Sequence, residues 1–121
     1  MTGPRKRTAI LISGRGSNMM SLVEAAQRPG YPAEIVAVIS NRPDAAGLAW
    51  AASQGLPTRT IDHRAFASRE AFEEKLHAAL LDAGTEIVCC AGFMRLLTGA
   101  FIQRWHDRQL TIHPSLLPAF P

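Results

Sequence analysis

Residues 13–18 (SGRGSN) combine two glycines with hydroxyl and amide side chains, directly before a helix-length segment. Glycines let a backbone approach a ligand closely, and the free N–H groups at the start of a helix attract anions. Met19 stands where a dinucleotide-binding fingerprint has its third glycine, and no Gly-Lys-Ser/Thr of a Walker loop follows. We therefore predict that Gly16, Ser17 and Asn18 bind a phosphate monoester. The alternative is a glycine turn that leads into a capped helix.

A second candidate is His113, which follows a short apolar run and precedes a proline. Proline fixes its own φ and pushes the preceding residue into an extended conformation, so we expect His113 in a loop at the end of a strand. In extended backbone, Thr111 projects from the same face. A hydroxyl and an imidazole that converge on one point could stabilise an oxyanion and move a proton. The alternative is a structural or simply exposed histidine.

The third candidate is an apolar segment after a buried strand, residues 91–97 (AGFMRLL). Gly92 permits a tight turn there. The side chains that would form an apolar wall beyond the end of the strand are Phe93, Met94, Leu96 and Leu97. Apolar side chains where solvent is expected favour a flat organic ligand. The alternative is that they only seat the next helix.

The other histidines and the two cysteines lie in no pattern that indicates chemistry. His63, His77 and His106 are interpreted as surface or helix residues, and their spacing does not favour a metal site. Cys89 and Cys90 are adjacent, so in a strand their side chains point to opposite faces. We expect no metal, and we expect both thiols to be small buried groups in a reducing cytoplasm.

Apolar runs alternate with helix-length segments along the chain. The predicted strands cover residues 8–13, 35–41, 57–61, 86–91 and 110–112. The predicted helices cover residues 17–27, 44–54, 68–82 and 99–105. Most of these runs are apolar without alternation, which is typical of parallel strands buried on both faces. The sequence therefore predicts an α/β protein with a Rossmann-like, doubly wound and mainly parallel sheet.

Length and charge limit the classes of protein that fit. The chain has 121 residues, of which 47% are hydrophobic and 19% charged, which suits one globular domain. Its formal charge of +3 is accounted for by Arg5, Lys6 and Arg7. We therefore predict a basic, solvated tail at residues 1–7, a neutral domain at residues 8–121, and no nucleic-acid partner. No apolar run approaches the roughly 20 residues of a membrane span, so we expect no membrane association.

Taken together and in this order, the motifs resemble the phosphoribosylglycinamide formyltransferase family. The matching residues are 12–18 (ISGRGSN), 40–45 (SNRPDA), 69–72 (REAF), 91–97 (AGFMRLL) and 112–118 (IHPSLLP). The resemblance covers nearly all of the chain after residue 7. It implies the formyltransferase fold and a cytoplasmic enzyme of purine biosynthesis. That enzyme transfers a formyl group from 10-formyltetrahydrofolate to the amine of glycinamide ribonucleotide.

The resemblance also implies a role for each candidate residue. Gly16, Ser17 and Asn18 would hold the phosphate of glycinamide ribonucleotide. His113 would be the proton donor beside the formyl group, with Thr111 next to it. The pocket for 10-formyltetrahydrofolate would be lined by Arg69, Met94, Arg95, Leu96, Leu97 and Thr111.

The sequence departs from the family pattern in two respects. The family places asparagine two residues before the histidine, where its amide binds the formyl oxygen, and this chain has Thr111 there. Loss of one such donor typically lowers the rate about 10²–10³-fold. Family members also continue past this loop and contribute an aspartate that raises the pKa of the histidine. We therefore expect the sequence to be the N-terminal portion of the family's domain, truncated after the histidine loop.

Three other interpretations stay open. The first is a catalytically impaired module that binds phosphate and folate without turnover. The second is a related formyltetrahydrofolate hydrolase, although water needs no phosphate-binding loop. The third is an α/β scaffold with no affinity for either ligand. Because later residues normally cover one edge of the sheet, we also expect the isolated chain to dimerise or aggregate.

Overall fold

The computed structural model describes residues 5–93, 98–105 and 109–111. The strands are β1 (Lys6–Ile12), β2 (Ala33–Ser40), β3 (Thr58–Thr60), β4 (Ile87–Cys90) and β5 (Gln109–Thr111). The helices are α1 (Ser17–Ala26), α2 (Ala46–Ser53), α3 (Arg69–Asp82) and α4 (Gly99–Arg104). A 3₁₀ turn at His63–Ala65 lies between β3 and α3.

The strands form one sheet in the order β3-β2-β1-β4-β5, and every neighbouring pair is parallel. Because consecutive strands are placed on both sides of β1, the winding direction reverses between β1 and β4. The carboxyl ends of all five strands therefore share one edge, here called the carboxyl edge. Ligands of open α/β sheets bind outside this edge, next to the reversal. The predicted doubly wound parallel sheet is confirmed.

Side chains of the central strand alternate between two helical layers. Ala9 and Leu11 belong to the cluster that contains Phe72, Leu76 and Leu80 of α3, Phe101 of α4, and Trp105 directly after α4. Ile10 and Ile12 belong to the cluster with residues of α1 and α2, namely Met19, Val23 and Ala51. The adjacent cysteines are divided in the same way, Cys90 in the first cluster and Cys89 in the second. Toward their carboxyl ends β1, β2 and β4 are thus buried on both faces, as their uninterrupted apolar residues predict, whereas β3 is largely exposed.

The prediction of a basic tail over residues 1–7 is wrong for the residues that the structure describes. β1 begins at Lys6, whose backbone N–H donates to the carbonyl of Pro32 at 2.9 Å. The guanidinium of Arg7 donates through Nε to the carbonyl of Gly84 at 2.6 Å. Carbonyl groups at helix ends and in turns lack N–H partners, and the Arg7 guanidinium supplies a missing donor to one of them. Basic side chains here belong to the amino-terminal edge of the sheet.

The guanidinium of Arg5 donates hydrogen bonds to three carbonyl groups between the end of α1 and the start of β2. Its Nε lies 3.0 Å from the oxygen of Tyr31, and one terminal nitrogen lies 2.9 Å from the oxygen of Ala33 and also donates to that of Ala26. Replacing Arg5 with alanine is expected to lower the free energy of unfolding by about 1–2 kcal/mol, because charged donors are removed from these carbonyls. Urea denaturation measures the change.

Lys6 provides the matched control for that prediction. The side chain of Lys6 makes no hydrogen bond or ion pair within the part of the chain that the structure describes. Lys6→Ala removes the same charge from the same region and is expected to change the stability by less than about 0.5 kcal/mol. Equal effects of the two substitutions would show that net charge, and not the carbonyl contacts, sets the stability here.

Candidate functional site

The connection between β1 and α1, residues 13–16, is here called the glycine loop. Gly16 is the N-cap of α1 and has φ of +73°, in the left-handed region that favours glycine. A Cβ at Gly16 would also lie 2.8 Å from Cε of Met19. No side chain caps α1, and its first turn contains no acidic residue. The backbone N–H groups at Ser17 and Asn18 therefore lie at a helix start suited to an anion.

The first turn of α2 supports the glycine loop from the side. The N–H of Gly47 donates to the carbonyl of Gly14 at 3.1 Å. A Cβ at Gly47 would lie 2.7 Å from the carbonyl oxygen of Arg15 and 2.6 Å from Cδ1 of Ile12. Only glycine allows this approach without movement of the backbone. Sequence reasoning missed Gly47, although an isolated glycine in a helical segment is a recognised sign of close packing.

Three polar side chains at the carboxyl edge form a connected polar network: Ser13, Asn41 and His63. Oγ of Ser13 donates to Oδ1 of Asn41 at 2.6 Å, and Nδ2 of Asn41 lies 3.1 Å from Nδ1 of His63. Ser13 and Asn41 are buried, and His63 is half-buried. The network joins the ends of β1 and β2 to the connection between β3 and α3. The interpretation of His63 as an ordinary surface or helix residue is therefore corrected.

The 3₁₀ turn that carries His63 is stabilised by its own cap. Oδ1 of Asp62 accepts from the backbone N–H of Arg64 at 3.0 Å, and the Arg64 guanidinium donates to both carboxylate oxygens. These hydrogen bonds and the charge of Arg64 hold the pKa of Asp62 at about 2. The ring of His63 meets Phe72 edge-to-face with centroids 6.4 Å apart. The turn thus keeps the imidazole between the end of β2 and α3.

Arg69 begins α3 immediately after the helix cap at Ser68, whose Oγ accepts from the N–H of Ala71 at 3.1 Å. The guanidinium of Arg69 is exposed and forms no ion pair with any residue that the structure describes. Since α3 runs away from the carboxyl edge, its first residue lies on the edge side of the fold. Arg69 is therefore open to a ligand on that side.

The strand register brings β5 to the level of the glycine loop. Leu11 of β1 pairs with Cys90 of β4, and Cys90 pairs with Thr111 of β5. The backbone of Thr111 therefore lies at the carboxyl edge, on the side of β4 opposite β1. The side chain of Thr111, the segment Met94–Leu97 with its four predicted folate-binding residues, and His113 lie outside the described residues.

Thr98, the residue before α4, is fixed to α3. The carboxylate of Glu73 is buried and accepts from the N–H of Thr98 at 2.6 Å and from its hydroxyl. The same hydroxyl accepts from the N–H of Phe101 at 3.4 Å and so caps α4. The start of α4 is therefore fixed relative to α3.

The residues that the structure describes include neither an activated thiol at Cys89 nor a cluster of metal ligands. Burial raises the pKa of the Cys89 thiol to about 12, which leaves it protonated and unreactive at neutral pH. Within residues 5–93, 98–105 and 109–111, no three His, Cys, Asp or Glu side chains converge on a possible metal position. No described helix is long and apolar enough to cross a membrane.

Residues 6–121 match the family model described as formyl transferase. The chain belongs to the formyl transferase family. The resemblance inferred from the motifs is confirmed at this level, and so is the formyltransferase fold. The crystal structure of phosphoribosylglycinamide formyltransferase from Brucella melitensis superposes with a TM-score of 0.89 at 52% identity, over 98% of this chain and 62% of that one.

Two curated relatives place this formyl transferase family member more closely. It is 41% identical over 112 residues to phosphoribosylglycinamide formyltransferase of Escherichia coli K12. This alignment covers 93% of this chain and 53% of the relative. It is 48% identical over 118 residues to the trifunctional purine biosynthetic protein adenosine-3 of Bos taurus. This second alignment covers 97% of this chain and 12% of that protein. The chain therefore spans about half of the first relative and a small part of the second.

Proposed function

We propose that the native protein transfers a formyl group from 10-formyltetrahydrofolate to the amine of glycinamide ribonucleotide. The observation that carries this proposal is the uncapped start of α1 behind the glycine loop, at the carboxyl edge where the winding direction reverses. An uncapped helix start suits a phosphate group, and the position suits a ligand of an open α/β sheet. Relatives of this chain are named phosphoribosylglycinamide formyltransferase, which supports the same reaction.

Each end of the proposed site would hold one substrate. Gly16, Ser17 and Asn18 would receive the phosphate of the ribonucleotide through backbone N–H groups and side-chain donors. The folate would lie on the side of β4 and β5, against Arg69, Met94, Arg95, Leu96, Leu97 and Thr111. The two substrates would then meet across the ends of β1 and β4.

The proposed chemistry is acyl transfer through a tetrahedral intermediate. The amine of the ribonucleotide attacks the formyl carbon, and a new C–N bond forms as the formyl oxygen becomes negatively charged. Protonated His113 stabilises this oxyanion. The bond from the formyl carbon to the folate nitrogen then breaks, the folate nitrogen takes a proton, and the amine loses one.

Single-turnover transfer tests the proposal directly. The native protein is mixed with 10-formyltetrahydrofolate and glycinamide ribonucleotide, and formylated ribonucleotide is measured with time. Calorimetry gives the affinity for each substrate in parallel. Transfer that needs the 5′-phosphate supports the proposal. Binding of both substrates without transfer contradicts it and supports the phosphate- and folate-binding module, which Thr111 at the asparagine position also favours. Absence of binding leaves only an α/β scaffold.

Thr111→Asn tests the departure from the family pattern. An asparagine amide reaches further than a threonine hydroxyl and donates to the developing oxyanion. We expect kcat to rise about tenfold, less than the 10²–10³-fold effect of a complete donor because threonine retains a hydroxyl. Thr111→Val is the matched control and should lower kcat. An unchanged kcat in both variants would remove Thr111 from the proposed site.

Self-association of the chain stays a separate prediction, which light scattering tests.

A further inference from the structure

We propose that His63 and Asn41 are positioning residues that hold the glycine loop in the conformation that binds a phosphate group. The inference rests on the proposed function, since it concerns the phosphate subsite of the same site. Neither side chain belongs to that subsite. Both would act through Ser13, the first residue of the glycine loop.

The hydrogen bonds of the network have a defined direction. Oδ1 of Asn41 accepts from Oγ of Ser13 at 2.6 Å, so the amide nitrogen of Asn41 faces Nδ1 of His63 at 3.1 Å. That nitrogen can only donate, so the imidazole accepts at Nδ1 and carries its proton on Nε2. The form of His63 with its proton on Nε2 is therefore the one that matches this orientation of the Asn41 amide. A ring with its proton on Nδ1 would favour the reversed amide, with the NH₂ group toward Ser13.

Burial makes this orientation matter. The exposed fraction is 4% for Ser13 and 3% for Asn41, so water cannot replace a lost partner easily. Buried polar groups that lose a partner are costly, and members of one network are held or released together. Removal of the acceptor on His63 should therefore disturb the bond between Asn41 and Ser13, although His63 does not touch Ser13.

The polar network provides one of the contacts that hold the glycine loop. Gly14 and Gly16 have no side chains that could pack against the fold. The middle of the loop is held by the bond from Gly47 to the carbonyl of Gly14, and its end is the N-cap of α1. The start of the loop is held by the Ser13 side chain. Among these contacts, the one at Ser13 is a side-chain hydrogen bond.

The experiment compares His63→Phe with His63→Gln in the native protein. Phenylalanine keeps a ring beside Phe72 but removes the acceptor, whereas glutamine offers an acceptor again. Binding of ribose 5-phosphate is followed through the backbone amide signals of residues 14–18, and binding of 10-formyltetrahydrofolate by calorimetry. We expect His63→Phe to lower the affinity for ribose 5-phosphate about tenfold, which is the effect of one lost hydrogen bond. The folate affinity should stay the same, and His63→Gln should recover most of the loss.

A control variant separates positioning from a general loss of stability. His77 lies on α3 outside the polar network, and its ring meets Trp105 edge-to-face at 5.6 Å. His77→Phe is expected to leave the affinity for ribose 5-phosphate unchanged. Ser13→Ala, which removes only the hydroxyl, repeats the test if His63→Phe does not fold. Nitrogen-15 spectra of the imidazole provide an independent measurement, and the inference requires the proton of neutral His63 on Nε2.

The outcomes distinguish this inference from the proposed function. If phosphate affinity depends on His63 but no formyl transfer occurs, the proposed function fails and the inference stands. If transfer occurs but His63→Phe binds ribose 5-phosphate normally, the inference is wrong. It is also wrong if His63→Phe lowers the affinity for ribose 5-phosphate and for 10-formyltetrahydrofolate equally. A native protein that binds no sugar phosphate contradicts both.

Discussion

Replacing His113 with alanine is expected to lower kcat for formyl transfer by about 10²–10⁴-fold, the contribution of a positioned proton donor. The KM for each substrate should change little, because the imidazole acts on the oxyanion and not on the phosphate or the pterin. The measurement is steady-state kinetics across pH. The pH profile of kcat should contain an ionisation step in the native protein that is absent in His113→Ala.

Added imidazole provides the control for that substitution. A small base that enters the space left by the side chain should restore part of kcat in His113→Ala and have no effect on the native protein. If His113→Ala retained activity within fivefold of the native protein, the proposed chemistry would be wrong. Loss of folate affinity in the same variant would instead assign His113 to binding.

Gly47→Ala is the second substitution with a large expected effect, although Gly47 touches no proposed ligand. The new methyl group would lie 2.7 Å from the carbonyl oxygen of Arg15, so α2 or the glycine loop must move. Forced overpacking of this kind costs about 1–3 kcal/mol of stability. A displacement of the loop by about 1 Å should lower kcat/KM roughly 10²-fold. Thermal unfolding and kinetics with glycinamide ribonucleotide measure the two effects.

Two other glycines are matched controls for Gly47→Ala. At Gly99, the exposed first residue of α4, and at Gly14, an added Cβ would meet no described atom within 4 Å. Gly99→Ala should therefore preserve both stability and activity. Gly14→Ala should preserve stability, and any loss of phosphate affinity in it would report how closely the ligand approaches the loop. A stable and fully active Gly47→Ala would show that the contact between α2 and the loop is dispensable.

The elements of this fold were predictable because their signals are local. Residues 9–12 are all apolar, which indicated a strand buried on both faces, and the structure buries each of them completely. Ser68 indicated the start of α3, and its hydroxyl caps that helix. Phe72, Leu76 and Leu80 recur at the four-residue spacing of one helix face, and all three are in the core. Local capping and periodicity determine these features, so one sequence is enough.

The supports of the site were not predictable, because each depends on a distance between remote segments. The need for glycine at position 47 arises from the carbonyl of Arg15, which only the packing of α2 brings near. His63 gains its role from Asn41, 22 positions earlier in the chain. Arg5 was interpreted as a solvated charge because nothing local shows that carbonyls from α1 and β2 surround it. Tertiary contacts of this kind leave no periodic signal.

The central position of β1 sets the order in which the protein can assemble as it leaves the ribosome. Thr8 pairs with Ile35 on one side and with Ile87 on the other. The first partner is synthesised soon after β1, whereas the second emerges only after α3 is complete, and closing the longer loop costs more chain entropy. Until then, one edge of β1 presents unpaired backbone groups on which misassembly and aggregation begin. Protection from hydrogen exchange of the β1 amides that face β4 therefore reports when the second half of the sheet joins the first.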